Sequence, residues 1–403
     1  MHILFVADGR SPIARRWIQG VLATGHQVSL VSTYPCEPIP GVPLLAVMPV
    51  AFSGMASGPG GSGQTSRSAF NPRKAVTRFR SLFLKGRYQL GPLTLRRFGG
   101  QFARLVEQTG PDMVHALRIP FEGMLASYTP PRFPLAVTIW GNDLTLHAVQ
   151  SRSMRSWTER TLRRANGLIA DAHRDIRLAK AWGFPEERPT LVAPGNGGID
   201  LAEINTPASL EGILPADIPA DAPLIINPRG IRPAYARTDV FFQAVPLVLQ
   251  RRPDVHFLCP AMAGQVEAQQ WLERLKVADH VHLLPYLPQP QLWELFRRSQ
   301  VTSSVTTHDG TPNTLLEAMA LGCFPVAGDI EALREWITPG VNGLLVEPNK
   351  PQAVAEAFLL ALEQPELRLR AAAINLDCIR ERAEISRVRA QLEVFYQWVW
   401  GLR

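Results

Sequence analysis

The stretch Thr306-Thr-His-Asp-Gly-Thr-Pro-Asn-Thr-Leu-Leu-Glu-Ala-Met-Ala-Leu-Gly-Cys-Phe-Pro-Val-Ala-Gly328 decides how this chain is read. A strand candidate ends near Val305, a turn rich in Gly, Pro and Asn follows, and a helical pattern begins near Asn313. That order predicts a strand, a tight turn and a helix over Asn313–Leu321. The turn exposes backbone N–H groups, and the helix N-terminus adds unsatisfied donors and partial positive charge. Together they suit a diphosphate. Asp309 and Glu317 flank the junction, eight positions apart. The first precedes the turn, where an uncharged hydroxylated group would meet it. The second lies one turn into the helix, placed to accept hydrogen bonds from a vicinal diol such as a ribose. Structure alone, a tight strand–turn–helix with Asp309 as local cap, accounts for Gly310, Pro312 and Asn313. It does not account for Glu317.

Outward from this junction, short apolar runs alternate with amphipathic ones. Leu224–Pro228, Val255–Cys259, Val281–Leu284, Val301–Val305, Phe324–Ala327 and Gly343–Val346 read as strands. Helical patterns lie near Asp239–Arg251, Gln265–Lys276, Gln289–Arg298 and Gln352–Glu363. Upstream the alternation is repeated, with strands at Ile3–Ala7, Gln27–Ser32, Asp112–Leu117, Leu135–Trp140 and Gly167–Asp171. Its helices are expected near Pro12–Thr24, Leu95–Gln108, Ser151–Arg164 and Ala172–Trp182. Strands apolar on both faces and separated by helices imply parallel sheets covered on each side. The expected fold class is α/β, with two Rossmann-like doubly wound parallel-sheet domains facing across a cleft. The first spans 1–200, an Ala/Pro/Asp-rich linker 201–223, and the second 224–384. A last helix within 385–403 is expected to pack back on the first domain through Leu392, Phe395, Tyr396 and Val399. Ligands in such sheets bind beyond the carboxyl ends of the strands. Neither unit carries G-x-G-x-x-G after its first strand, which disfavours a nicotinamide or flavin enzyme.

The 403 residues, 46 % of them hydrophobic and 19 % charged, are enough for two or three domains with sizeable cores. Four cysteines stand far apart without a C-x-x-C pair, which excludes a disulfide-dense scaffold and a cysteine zinc site and fits a reducing cytoplasm. The start, Met1-His-Ile-Leu-Phe-Val-Ala7, is apolar only briefly before Asp8 and reads as a first strand rather than a signal peptide. No apolar run reaches the ~18 residues of a spanning helix. The net charge of +7 is concentrated: ten basic residues and no acidic one lie between Gln64 and Arg104, whereas acidic residues outnumber basic ones elsewhere. Within residues 64–104, Val76, Phe79 and Phe83 form a short apolar stripe on a basic helix. Two readings follow: a solvated helix beside a binding cleft, or a surface that meets anionic lipid or a phosphorylated acceptor. A peripheral position at the inner face of a membrane belongs to the second. Nucleic acid is disfavoured, because no helix-turn-helix, zinc or RNA-recognition signature accompanies the charge. Ser53–Ser66 is Gly/Ser-rich and reads as a flexible loop, not a P-loop, since no Gly-Lys-Ser/Thr follows.

The junction and its surroundings resemble the donor-site signature of the retaining glycosyltransferases of family 4, which have the GT-B fold. That family usually shows two glutamates separated by seven residues, followed by Glu-Ala-Met-Ala-x-Gly-x-Pro-Val. Here the second glutamate is Glu317, within Glu317-Ala-Met-Ala-Leu-Gly-Cys-Phe-Pro-Val326, and Asp309 replaces the first. Pro194-Gly-Asn-Gly-Gly-Ile-Asp200, Ile226-Asn-Pro-Arg-Gly230, Arg251-Arg-Pro-Asp-Val-His-Phe257 and Gly340-Val-Asn-Gly-Leu-Leu-Val346 also resemble family segments in family order. The resemblance implies that Arg229 neutralises a leaving diphosphate and that amides of Gly310, Thr311, Pro312-flanked Asn313 and Thr314 surround phosphate and sugar oxygens. It also implies that Asp309 meets sugar hydroxyls and Glu317 the ribose diol. Where the family carries a lysine in Lys-Gly-x-Asp, this chain has Ala236-Arg-Thr-Asp239, so Arg237 or Arg232 is left to supply that charge.

In the first domain, Ile139-Trp-Gly-Asn-Asp-Leu-Thr-Leu-His147 is similar to the family's His-Gly-x-Asp segment, with Trp140 in the histidine slot. Asn142, Asp143 and His147 are thereby acceptor-side or catalytic candidates, against a capping or structural role. Asp8, Gly9 and Arg10 follow the first strand and are acceptor-side candidates by position. His115 reads as a packed strand residue. His280 and His282 lack partners at ligand spacing, and no metal site is expected. The resulting expectation is a metal-independent, retaining transferase without a cofactor. It would move a sugar from a UDP-, GDP- or ADP-sugar to an acceptor (glycan, glycolipid or small molecule, phosphorylated and lipid-linked forms included). The alternatives are a catalytically degenerate scaffold subunit of the same fold and a nucleotide-sugar epimerase.

Overall fold

The computed structural model describes residues 1–55, 72–215, 218–232 and 234–402. The chain divides into two compact units. The first comprises Met1–Asp171, Asp175–Gly197 and Arg389–Arg403, and the second Ala172–Arg174 and Gly198–Val388.

Seven parallel strands build the sheet of the first unit: β1 His2–Ala7, β2 Gln27–Ser32, β3 Leu44–Val47, β4 Met113–Leu117, β5 Leu135–Ile139, β6 Gly167–Ala170 and β7 Thr190–Val192. Their spatial order is β3-β2-β1-β4-β5-β6-β7. β4, β5 and β6 are buried along their whole length, as their mostly apolar sequences favour, with His115 and Thr138 the polar exceptions. Phe5 of β1 lies beside His115 of β4, and the order reverses direction between these two strands. The second unit repeats the plan with β8 Leu224–Ile226, β9 His256–Cys259, β10 Val281–Leu283, β11 Val301–Ser304, β12 Phe324–Gly328 and β13 Leu344–Val346. Their order is β10-β9-β8-β11-β12-β13, so its switch point lies between β8 and β11. Loops leaving the paired strands at a switch point diverge and open a crevice. The fold thus singles out the residues after β1 and β4 in one unit, and after β8 and β11 in the other.

The helix Ile385–Trp400 starts in the second unit and ends in the first. Its Phe395, Tyr396 and Val399 are buried. Gly167 at the start of β6 gives them room, because a Cβ there would come within 2.3 Å of Val399 Cγ2. The Tyr396 hydroxyl bonds His115 Nδ1 at 2.8 Å, and Thr138 Oγ1 bonds His115 Nε2 at 2.8 Å. His115 is therefore a satisfied core histidine. Burial pushes its pKa down to about 3 and keeps it neutral.

Several elements differ from the sequence expectation. β3 and β7 were not anticipated, and neither was the helix Pro365–Arg382. The helix expected over Leu95–Gln108 runs from Pro72 to Thr109 through Pro92. Apart from its first residues, the Gly/Ser-rich stretch Ser53–Ser66 lies outside the described residues, as do Arg67 and the side chains of Val76, Phe79 and Phe83. Among the described residues, no helix is long and apolar enough to cross a membrane.

Candidate functional site

Residues 305–312 leave β11 at the second unit's switch point and lead into the helix Asn313–Ala320. The path is fixed by the chain itself. The carbonyl of Tyr235 accepts hydrogen bonds from Thr307 N at 2.8 Å and Thr306 Oγ1 at 2.8 Å. β12 closes the other side: a Cβ on Gly328 would lie 2.3 Å from the carbonyl oxygen of Thr306. Trp336 Nε1 donates to Thr311 Oγ1 at 2.8 Å, and both residues are buried.

On this frame Arg229, which follows β8, pairs with the carboxylate of Asp309, and both side chains are largely buried. The second oxygen of Asp309 accepts the amide of Gly310 at 3.1 Å. The carboxylate thus aims the guanidinium at the junction and braces the first turn residue. Pro312 precedes the helix, which has no side-chain cap among the described residues, so the amides of Asn313 and Thr314 open it. Asn313 Oδ1 is buried with no hydrogen-bond partner among the described residues, an acceptor ready for a ligand hydroxyl. Glu317, one turn on, is buried and accepts from Gln289 Nε2 at 2.6 Å.

The two arginines expected to supply the missing charge are placed differently. Arg232 Nε donates to the carbonyl of Arg229 at 3.0 Å, beside the junction. Arg237 sits in the left-handed region (φ 36°) and is engaged by Asp239, at 2.9 and 2.7 Å, and by Asn349. That pairing holds the Asp239 carboxyl below its ordinary range.

A second group of polar residues gathers at the switch point of the first unit. Asp8 and Arg10 follow β1 and pair through Arg10 Nε and Nη2 at 3.1 and 3.0 Å, while Gly9 N donates to Ser32 Oγ at 3.1 Å. Asp143 is wholly buried. Its oxygens accept from Arg118 Nε at 2.9 Å, Ile119 N at 3.0 Å and Trp140 N at 3.2 Å. Desolvation raises its pKa despite these donors. The role visible for Asp143 is to orient Arg118, the first residue after β4. His147 bonds the Tyr88 hydroxyl through Nδ1 at 2.6 Å, and burial with the nearby Arg118 and Arg87 pushes its pKa down to about 3. Asn142 Oδ1 is buried and unpartnered among the described residues.

Sequence reasoning missed Gln289, Trp336, Arg87, Arg118 and Glu122. Each reaches its site only through tertiary structure, and its local sequence carries no motif. Glu122 is buried, receives Thr33 Oγ1 at 2.6 Å, and is pushed by desolvation up to about 7. His256 and His282 lie 2.9 Å apart (Nδ1 to Nε2). Among the described residues no group of three or more His, Cys, Asp or Glu side chains is arranged to hold a metal ion.

Residues 8–195 match the family described as Glycosyl transferase 4-like domain, and residues 217–375 match Glycosyl transferases group 1. The chain is similar to the D-inositol 3-phosphate glycosyltransferase of Thermobispora bispora, 26 % identical over 235 residues, covering 54 % of this chain and 52 % of that protein. It is also similar to the phosphatidyl-myo-inositol mannosyltransferase of Mycobacterium tuberculosis, 30 % identical over 168 residues, 40 % of this chain and 43 % of the relative. The chain thus spans about half the length of the curated relatives it matches. Among solved structures, the sucrose-phosphate synthase of Thermosynechococcus elongatus superposes with a TM-score of 0.72 at 15 % identity, covering 100 % of this chain and 99 % of that one. Anabaena HepE, solved in complex with UDP-glucose, gives a TM-score of 0.66 at 17 % identity over 98 % of each chain. At these identities the likeness is one of fold.

Proposed function

Because the chain belongs to the glycosyltransferases of GT-B fold, with a 4-like domain followed by a group 1 domain, we propose that it transfers a sugar from a nucleoside diphosphate donor to an acceptor hydroxyl with retention at the anomeric carbon. The observation that carries this reading is the junction after β11. There Arg229, a helix N-terminus and Asn313 Oδ1, unpartnered among the described residues, lie beside the buried Glu317.

In the reaction, the bond between the anomeric carbon and the phosphate oxygen breaks, and its electron pair leaves on the diphosphate. The acceptor oxygen bonds to the same carbon, and its proton is released. Charge therefore grows on the diphosphate during bond breaking. Donors fixed beforehand at that place stabilise the transition state more than the ground state. Arg229 supplies a full charge, and the amides of Asn313 and Thr314 supply partial ones. Asp309 holds Arg229 in its aim and offers an oxygen to a sugar hydroxyl. Glu317 accepts from the ribose diol, with Gln289 fixing its rotamer.

Guanidinium and amides give the leaving group its countercharge in this reading, so turnover is expected to survive a chelator. The test is a panel of UDP-, GDP- and ADP-sugars in a melting assay, followed by transfer assays with the stabilising donor and NMR of the product anomer. Stabilisation by one nucleotide class, weakened in Glu317→Ala, is the expected result. No response to any nucleotide overturns the reading.

A further inference from the structure

The polar cluster at the first unit's switch point is unused by the donor chemistry, and its composition is unusual. Three guanidiniums gather there from three elements: Arg10 after β1, Arg118 after β4, and Arg87 on the helix Pro72–Thr109. Each is braced from behind. Arg10 gives Nε and Nη2 to Asp8 and lies over the Tyr34 ring, its central carbon 3.6 Å from the ring centre. Arg118 gives Nε to Asp143 and lies 5.7 Å from the Trp140 ring centre. Arg87 meets ring faces, Phe121 at 4.9 Å and Tyr34 at 5.7 Å. Its own stretch of helix is pinned, since Ser151 Oγ donates to the Tyr88 carbonyl at 2.8 Å and Thr94 Oγ1 accepts the Ala51 amide at 2.7 Å.

The contacts link the three cations into one group. Tyr34 is shared by Arg10 and Arg87, while Arg87 and Arg118 both act on His147. Countercharge is short. Asp8 and Asp143 answer Arg10 and Arg118, and the remaining carboxyl, Glu122, is pushed up by burial to about 7. Asp143 takes only the Nε edge of Arg118, so its two terminal nitrogens stay available to donate elsewhere.

Two further observations point to a ligand. Trp140 Nε1 and Asn142 Oδ1, on the segment that carries Asp143, are a buried donor and a buried acceptor without partners among the described residues. Arg118 (φ 115°) and Phe121 (φ 71°) hold left-handed backbone that side chains disfavour, and such strain collects where a ligand is clamped. A ligand that joins a compact anion to hydroxyl groups answers all of these features. A tetrahedral phosphate has three oxygens for guanidiniums arriving from different directions.

We propose that this cluster binds a phosphate group on the sugar acceptor, with Arg87 and Arg118 as its principal donors and Asn142 and Trp140 facing the acceptor's hydroxyls. The inference rests on the glycosyltransferase reading and names the acceptor's class within it. The phosphate belongs to a soluble phosphomonoester or to a phospholipid headgroup, and the test separates the two.

The 403-residue chain is titrated calorimetrically with D-inositol 3-phosphate and with myo-inositol. It is also sedimented with vesicles of phosphatidylinositol in phosphatidylcholine and with phosphatidylcholine alone. Arg87→Met and Arg118→Met are treated alike, and the melting shift caused by UDP is recorded for every protein as a readout of the second unit. We expect a phosphate-bearing probe to bind about tenfold or more tightly than its phosphate-free counterpart, with that preference falling close to unity in both variants while the UDP shift is kept. Preference for the soluble phosphate marks a small acceptor, and preference for the vesicle alone marks a headgroup. Binding that ignores phosphate, no binding of either probe, or a preference that survives both substitutions overturns the proposal. In those cases an intact UDP shift leaves the donor reading standing, whereas its absence in the unaltered protein overturns that reading instead.

Discussion

Arg229 and Asp309 come from loops 80 positions apart and meet at one junction. Replacing Arg229 by Ala removes a full positive charge from the junction proposed to hold a leaving diphosphate. The expected loss in turnover is about 10²–10³-fold, measured with saturating donor. Asp309→Glu lengthens the carboxylate arm by one carbon–carbon bond, about 1.5 Å. It is expected to displace the guanidinium and change sugar preference in a donor panel more than nucleotide affinity. Glu122 makes a different prediction. Its proton is held to about pH 7 in the folded chain and lost near the ordinary 4.5 in the unfolded one. Its contribution to stability is therefore complete below pH 4.5 and disappears as pH rises through 7. Glu122→Gln has no proton to lose. Relative to the unaltered protein, it should gain at most about 3 kcal/mol between pH 4.5 and 8 in urea melts. At this scale, Asp309, Glu317 and Arg229 were legible because a local motif carries them. Arg87, Arg118 and Glu122 were not, since only the strand order brings them together.

Among the elements, β12 lies directly against the junction. An alanine at Gly328 would collide with the Thr306 carbonyl, which is backbone and has nowhere to swing. Gly328→Ala is expected to cost about 1–3 kcal/mol in denaturant titrations and to weaken nucleotide-induced stabilisation, because the strand that must yield leads into the junction. The strands that were readable, such as Met113–Leu117 and Val301–Ser304, are continuous runs buried on both faces. Those that were missed lack that signal. Leu44, Leu45 and Val47 of the edge strand β3 stay exposed, and β7, at the opposite edge, has Thr190 exposed and its other two residues half-buried. The helix Pro365–Arg382 buries only Leu367, Ala371, Asn375 and Ile379, a stripe one residue wide among charges. The long helix Pro72–Thr109 is legible only as a shorter one because Gly86, Gly91 and Pro92 resemble breaks.

For the whole molecule, the doubled sheet topology was legible in the repeated alternation of runs, but the ownership of the tail was not settled by periodicity alone. Residues 389–403 complete the first unit, where Tyr396 satisfies the buried His115. Tyr396→Phe leaves one nitrogen of that ring without its partner and should cost about 1–3 kcal/mol, read as a lowered midpoint in thermal or urea unfolding. Removing residues 389–403 uncovers Gly167 and its neighbours and is expected to leave the first unit open to protease while nucleotide still protects the second. A ribosome makes this chain in the opposite order of need. Every residue of the second unit is polymerised before the helix that seals the first one emerges. The amino-terminal half must therefore wait, unfinished, through the synthesis of about two hundred further residues, exposed to chaperones at the tunnel exit for roughly ten to forty seconds at about 5–20 residues per second.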